Sequence, residues 1–399
     1  MALAASLLSL VSHGTLSRAA EPQTITIGAI LPLSGLNAGP AVYAVAGYDM
    51  AAADINAAGG IKGLNGATIK LIYGDSQGQP AKAAQLAVRM VQEDHVVALT
   101  GSFTSPTGLA ISSEAESLKV PYLQASGLAN SLTERGMKYT FRNKYTTIQG
   151  AAAGLEFLQF LSNAERPIKK VALLWENSAY GTEGAEADRL LVPKYHFQMV
   201  ADVSFKTGTP DLSSQLLQIR NSHADAILGW YFAQDTVVLL KEMNTLQMHL
   251  PYIVPGSGVL DSSIQELGPV SEGVFGITHW NSDLATPGSV SVSDRFEQKY
   301  HKAPNDNTAD AYSALWILAD ALNAARSTDP ATLRDAIAHL RVRSGPALIT
   351  SSKNNEIFFG PKGQSPSPEL LVVQLQHGRY RTVWPKRFAK AAIERSWLK

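Results

Sequence analysis

The sequence predicts an α/β protein with parallel sheets covered by helices on both faces. Three observations carry this. Short apolar or β-branched runs alternate with helical stretches from residue 24 to residue 278, the pattern of consecutive βα units. These units fall into two runs, followed by a mainly helical stretch and a strand-rich tail. The chain has 399 residues, too many for one compact core.

The first run opens with TITIGAIL at 24–31, a strand ended by Pro32-Leu33-Ser34-Gly35. A helix is expected from about 41 to 58, with Val42, Val45, Met50 and Ile55 as its inner stripe and Gly59-Gly60 as its stop. Strand 67–73, loop 74–78 and helix 81–93 follow. Residues 97–100 form a strand closed by Gly101. Ser105 then reads as a helix N-cap and Pro106 as the first helical residue, because Ser accepts from a free N–H and Pro lacks one. Helix 107–118 leads to strand 120–123, the loop Ser126-Gly127, and strand 139–142.

The second run has helix 148–161, strand 170–175 with loop 176–181, helix 184–192, strand 197–205 and helix 212–220. Strand 224–228 ends in Gly229-Trp230-Tyr231-Phe232. Helix 234–244 and strand 251–254 follow, the latter ending in Pro255-Gly256-Ser257-Gly258, and strand 274–278 closes the run. Helices are expected at 290–301, 308–325 and 331–340. The tail reads as strands 356–359, 370–376 and 379–384, with His377-Gly378 as a hairpin turn.

Composition narrows the function. Apolar residues make up 45% and charged residues 17%, and 34 Lys plus Arg balance 34 Asp plus Glu. No basic excess suits nucleic acid or an anionic membrane surface. Cysteine is absent, which excludes disulfides, thiolate metal sites and a cysteine nucleophile. Residues 1–20 resemble a secretory signal peptide: an apolar run at 2–11, then Ser17-Arg18-Ala19-Ala20 at cleavage spacing, although no Lys or Arg precedes the run. No later stretch is long and apolar enough to span a bilayer, so an exported, soluble mature protein is expected.

Catalytic motifs are missing. The turn after the first strand is not GxGxxG, and there is no P-loop, no GxSxG elbow and no HExxH or HxH spacing. No catalytic residue, metal ligand or cofactor is therefore expected. His279, next to Trp280, reads as a hydrogen-bonded structural histidine rather than a catalyst. Open α/β sheets bind ligands beyond the carboxyl ends of their strands. Loops 34–40, 74–78, 101–107 and 125–128 would line one side of a cleft between two sheets. Loops 176–181, 229–234 and 255–258 would line the other.

PLSG at 32–35, DINAAGGI at 54–61, GDSQGQP at 74–80, GSFTSPT at 101–107 and LTERGMKYTFR at 132–142 together resemble the type I periplasmic solute-binding proteins of ABC importers, the branch of the leucine/isoleucine/valine-binding protein. The resemblance runs from about Thr24 to the C-terminus. It implies two Rossmann-like lobes joined by a three-segment hinge, residues 24–145 plus 278–350 and residues 146–277 plus 351–399. It implies a monomeric, non-catalytic periplasmic receptor for a small molecule, a membrane permease as partner, and no nucleic acid. A sensory regulator of the same fold is the other reading, and no helix-turn-helix segment precedes Thr24 to support a DNA-binding one.

The resemblance also implies site residues. A ligand carboxylate would meet the Ser105 hydroxyl and the main chain of Ser126, Gly127 and Leu128. Tyr180, Trp230, Tyr231, Phe232 and Trp280 would form aromatic walls. Amino-acid binders of this branch place an acidic residue where this chain has Ser257. A buried ammonium without a counter-charge costs several kcal/mol. The expected ligand is thus an organic carboxylate without an ammonium group, aromatic for preference. A branched-chain amino acid is the alternative, with Glu176 or Asp235 as counter-charge.

Overall fold

A computed structural model describes residues 23–163, 166–350, 356–366 and 369–395. The expected signal peptide lies outside these residues. In chain order the first sheet and its helices comprise β1 (Thr24–Leu31), α1 (Ala38–Ala57), β2 (Thr68–Asp75), α2 (Pro80–Gln92), β3 (Ala98–Gly101), α3 (Ser105–Leu118), β4 (Tyr122–Gln124), α4 (Ser131–Glu134) and β5 (Thr140–Arg142). The second set comprises α5 (Thr147–Leu161), β6 (Lys170–Glu176), α6 (Ala179–Leu191), β7 (Gln198–Phe205), α7 (Ser213–Asn221), β8 (Ala226–Trp230), α8 (Ala233–Thr245), β9 (Tyr252–Pro255), α9 (Ser262–Gln265) and β10 (Phe275–Thr278). Then come α10 (Ser289–Tyr300), α11 (Asp306–Ala325), α12 (Pro330–His339), β11 (Arg341–Val342), β12 (Ile357–Phe358), β13 (Leu371–Gln376) and β14 (Arg379–Trp384).

The two sheets repeat one plan. The first is parallel, in the order β2-β1-β3-β4-β5. The second has the parallel order β10-β9-β8-β6-β7, which is the same winding, and β13 and β14 extend it antiparallel beside β10. In such a sheet the winding reverses between the first and third strands, and ligands bind at that switch point. Here the switch points fall between β1 and β3 and between β6 and β8. His377 and Gly378 both carry positive φ, 52° and 75°, the backbone of a tight hairpin turn.

Each sheet is buried on both faces. Ile27, Leu31, Tyr48, Leu315, Leu318 and Leu322 belong to one core of the first sheet, packed by α1 and α11, and Ile30, Leu99, Leu86 and Ile111 to the other. In the second sheet, Leu173, Leu228, Phe157 and Phe275 form the core against α5 and α6, and Leu174, Ile227, Leu216 and Leu239 the core against α7 and α8. The chain passes between the sheets after β5, after β10 and before β13.

Two expectations need correction. Residues 351–399 were assigned to the second lobe, yet β12 pairs with β11, and Ile357 and Phe359 join the first core. The return to the second sheet comes later, because Phe359 packs edge-on to Phe141 and Gly363 and Ser365 hydrogen-bond to Arg142 of β5. The N-cap of α3 is Thr104, whose side chain accepts from Thr107 N, and Ser105 is the first helical residue. Among the described residues, no helix is long and apolar enough to cross a membrane.

Candidate functional site

The strand tips of both sheets meet at one narrow gap. Phe103, Ser105, Ser126, Gly127 and Leu128 line it from the first sheet, and Tyr180, Phe232, Gly256 and Gly258 from the second, with Lys144 at the junction. Its volume is only about 20 Å³. The walls touch: Phe103 and Leu128 pack in one apolar cluster with Tyr180 and Phe232.

The first wall is held by its own polar groups. Ser105 Oγ accepts from Leu128 N at 3.2 Å and Ala129 N at 3.1 Å. Both lone pairs are used, so the hydroxyl proton is left to donate. Arg142, fully buried, donates to Gly127 O at 3.3 Å, Ala129 O at 2.6 Å and Thr133 Oγ1 at 2.9 Å. Thr147 N donates to Leu128 O at 2.9 Å. The Gln124 carboxamide, with its oxygen turned toward the loop, accepts from Ser126 N and Gly127 N. The three N–H groups of 126–128 and the carbonyls of Gly127 and Leu128, expected to hold a ligand, are therefore already bonded within the protein. The Ser105 hydroxyl is the donor this wall keeps in reserve.

The second wall is aromatic. Tyr180 sits at the start of α6, capped by Ser178, and its hydroxyl donates to Pro255 O at 2.5 Å. Burial, with Glu176 nearby, raises the Tyr180 pKa well above its ordinary value and keeps that proton in place. Its ring lies 5.3 Å from Phe232, and Phe232 lies 6.4 Å from Phe103 across the gap. Tyr145 ties the gap to the crossovers: its hydroxyl donates to Ile277 O at 3.0 Å and accepts from Gly256 N at 2.7 Å.

Ser105, Ser126, Gly127, Leu128, Tyr180 and Phe232 are thus brought together. Three expected aromatics are not. Trp230 is the last residue of β8 and packs with α5 and α6, its Nε1 donating to Asp188 at 2.6 Å. Tyr231 faces the opposite core, with Leu239 and Val254. Trp280 is buried in the core of α1 and α11 and lines a separate cavity of about 320 Å³ with Tyr43 and Asn305. Ser257 lies in the turn Gly256–Gly258, which borders the gap, and its side chain is outside the description.

Neither candidate counter-charge lines the gap. Glu176 accepts from Ser178 N, Ser178 Oγ, Gly181 N and Thr207 Oγ1. Asp235 accepts from Gly208 N and Phe232 N at the start of α8, and burial pushes its pKa up to about 6.

Sequence reasoning missed Phe103 and Lys144. Phe103 was legible as an aromatic inside the predicted loop GSFTSPT. Lys144 gave no signal, since it lies in an irregular crossover. Its side chain is 2% exposed and bonds to Asp306 Oδ2 at 3.1 Å and Asp310 Oδ2 at 2.6 Å. Burial alone would lower the ammonium's pKa, but the two carboxylates outweigh it and hold it above its ordinary value. Asp310 Oδ1 meets His279 Nε2 at 2.7 Å, so this histidine is bound into a structural network. His279, Asp306 and Asp310 cluster closely enough for a cation, and the Lys144 ammonium already lies against both carboxylates.

Residues 24–379 match the family model described as periplasmic binding protein. The Leu/Ile/Val-binding protein homolog 7 of Brucella abortus (strain 2308) is 26% identical over 96% of this chain and 97% of its own length. Among solved structures, the leucine-binding protein LivK of Thermotoga maritima MSB8 superposes with a TM-score of 0.80 at 22% identity, covering 90% of this chain and 98% of that one. A solute-binding protein of an ABC transporter from Rhodopseudomonas palustris BisB5, in complex with 3,4-dihydroxybenzoic acid, gives 0.78 at 19% identity, covering 93% and 98%.

Proposed function

The chain belongs to the periplasmic binding protein family, and we propose that it is the exported, non-catalytic receptor of an ABC importer. It captures a small organic carboxylate between its two lobes and delivers it, as a soluble periplasmic monomer, to a membrane permease. The first lobe holds residues 24–145 and 278 to about 366, the second residues 146–277 and 369–395.

The observation that carries this reading is a gap at the strand tips lined from both sheets, with the Ser105 hydroxyl on one side and the Tyr180–Phe232 rings on the other. A solute there touches both walls only when they are together, so its binding energy favours the closed arrangement. A benzoate-sized solute exceeds about 20 Å³, so the walls part to admit it.

Among the described residues no Asp or Glu lines the gap, which supports a ligand without an ammonium group, as in the dihydroxybenzoic acid complex of the R. palustris protein. The names of the Brucella relative and the Thermotoga protein favour a second reading, a branched-chain amino acid. A thermal-shift screen separates the two. A ligand that binds only the folded form at 100 times its Kd stabilises it by about 2.7 kcal/mol. Benzoate and 3,4-dihydroxybenzoate are expected to raise Tm, and leucine and isoleucine to leave it unchanged. A shift with leucine alone supports the second reading, and no shift with any small carboxylate removes both.

A further inference from the structure

Lys144 lies between β5 and α5, where the chain passes from the first sheet to the second. Among the described residues lining the gap it is the one cationic side chain, and no anionic one accompanies it there. An ammonium has three N–H donors. Two are used, by Asp306 and Asp310 of α11, and among the described residues no third acceptor holds it. Asp306 stands in the first turn of α11, and its Oδ1 is buried with no hydrogen-bond partner among the described residues. Asp310 is shared with His279. Asp310 thus has a partner besides Lys144, and Asp306 has Lys144 alone among the described residues. Neither is among the described residues that line the gap, whereas Lys144 is.

We propose that Lys144 selects the ligand's charge: its third N–H, with the spare Ser105 hydroxyl, receives a carboxylate and rejects the neutral amide of the same shape. The inference rests on the receptor reading above and deepens it by naming the residue that sets acid preference. A buried carboxylate facing only apolar side chains would be lost to water, whereas charge-assisted hydrogen bonds at this depth are among the stronger polar contacts. The same ammonium holds α11, and through Asp310 it reaches His279 next to β10. A ligand carboxylate on Lys144 therefore engages two of the three crossovers, which ties charge recognition to closure.

The test is isothermal titration with two matched pairs, benzoate against benzamide and isoleucine against isoleucinamide, on the full-length mature protein. The wild type is expected to prefer the acid of whichever pair it binds by tenfold or more, the factor that about 1.4 kcal/mol of charge-assisted bonding supplies. Lys144→Arg should keep the preference, and Lys144→Met should reduce it to within about threefold. If Lys144→Met does not fold by circular dichroism, the variant Lys144→Met with Asp306→Asn and Asp310→Asn removes the uncompensated carboxylates and carries the same expectation. A folded Lys144→Met protein that keeps the full acid preference overturns the proposal and leaves Lys144 as a structural tie. Failure of the wild type to bind either acid overturns the receptor reading itself, and this inference with it. That outcome is distinct, because the variants then have no binding to compare.

Discussion

At the scale of single residues, Ser105 has two separable jobs. Its oxygen accepts from Leu128 N and Ala129 N, and its proton is free for a ligand. Ser105→Ala is expected to weaken carboxylate binding by about 1–3 kcal/mol. It should also lower stability by a comparable amount, because two buried N–H groups lose their acceptor. Calorimetric titration and urea unfolding read the two effects independently, and unchanged affinity would take Ser105 out of the site. The ligand role of Ser105 is implied by the family resemblance; its reading as an N-cap is a separate expectation, and the cap is Thr104. The aromatic run 230–232 misled for a similar reason of one residue. β8 continues to Trp230, and alternating side chains then send Trp230 to one core and Tyr231 to the other. Phe232, the first residue beyond both, alone reaches the gap.

At the scale of elements, the contact between α6 and β8 explains why that run is buried so firmly. Gly184 faces the Trp230 indole so closely that a Cβ there would fall 2.1 Å from Trp230 Cδ2. One turn further along α6, Asp188 accepts the indole N–H at 2.6 Å. The carboxyl is 1% exposed, and burial pushes its pKa from 3.8 up to about 7. A folded pKa above the unfolded one means that the native state holds its proton longer. The stability from this group is full below about pH 4 and is lost as pH rises to about 7. Asp188→Asn keeps an acceptor for Trp230 and does not titrate. Relative to this variant, the wild type should lose stability on the order of 4 kcal/mol between pH 4 and pH 8, measured by urea unfolding at fixed ionic strength. A constant difference across that range would contradict the assigned protonation. Element type was legible almost throughout because βα periodicity is strong over strands and helices of this length. The carboxyl was not, since Asp188 on a helix reads as a solvated charge until the indole opposite it is known.

At the scale of the whole molecule, the same strand order twice over sets two switch points face to face, and the third crossing brings the tail hairpin back to β10. The repeat of βα units made the two sheets legible. How closely the sheets approach was not, because contacts between residues far apart in sequence leave no periodic trace. The approach is close at the rim as well as at the gap. Leu36, 70% exposed, lies beyond β1, and its Cδ1 comes within 3.4 Å of a Cβ built on Gly208, beyond β7. A rim contact with so little buried area gives weak hold, and the gap behind it measures only about 20 Å³. Without a solute, the closed arrangement is held by Phe103 and Leu128 packing with Tyr180 and Phe232 and by Ser131 donating to Glu183, whereas a bound solute adds contacts to both walls at once. The chain has no cysteine, so Leu36→Cys with Lys206→Cys labels the two lips alone. Double electron–electron resonance on the spin-labelled pair should give a long or bimodal distance without ligand and a single short one with saturating benzoate or isoleucine, whichever binds. A short distance in both conditions would mean that the lobes do not part in solution. Capture would then require another route into the gap between Ser105 and Tyr180.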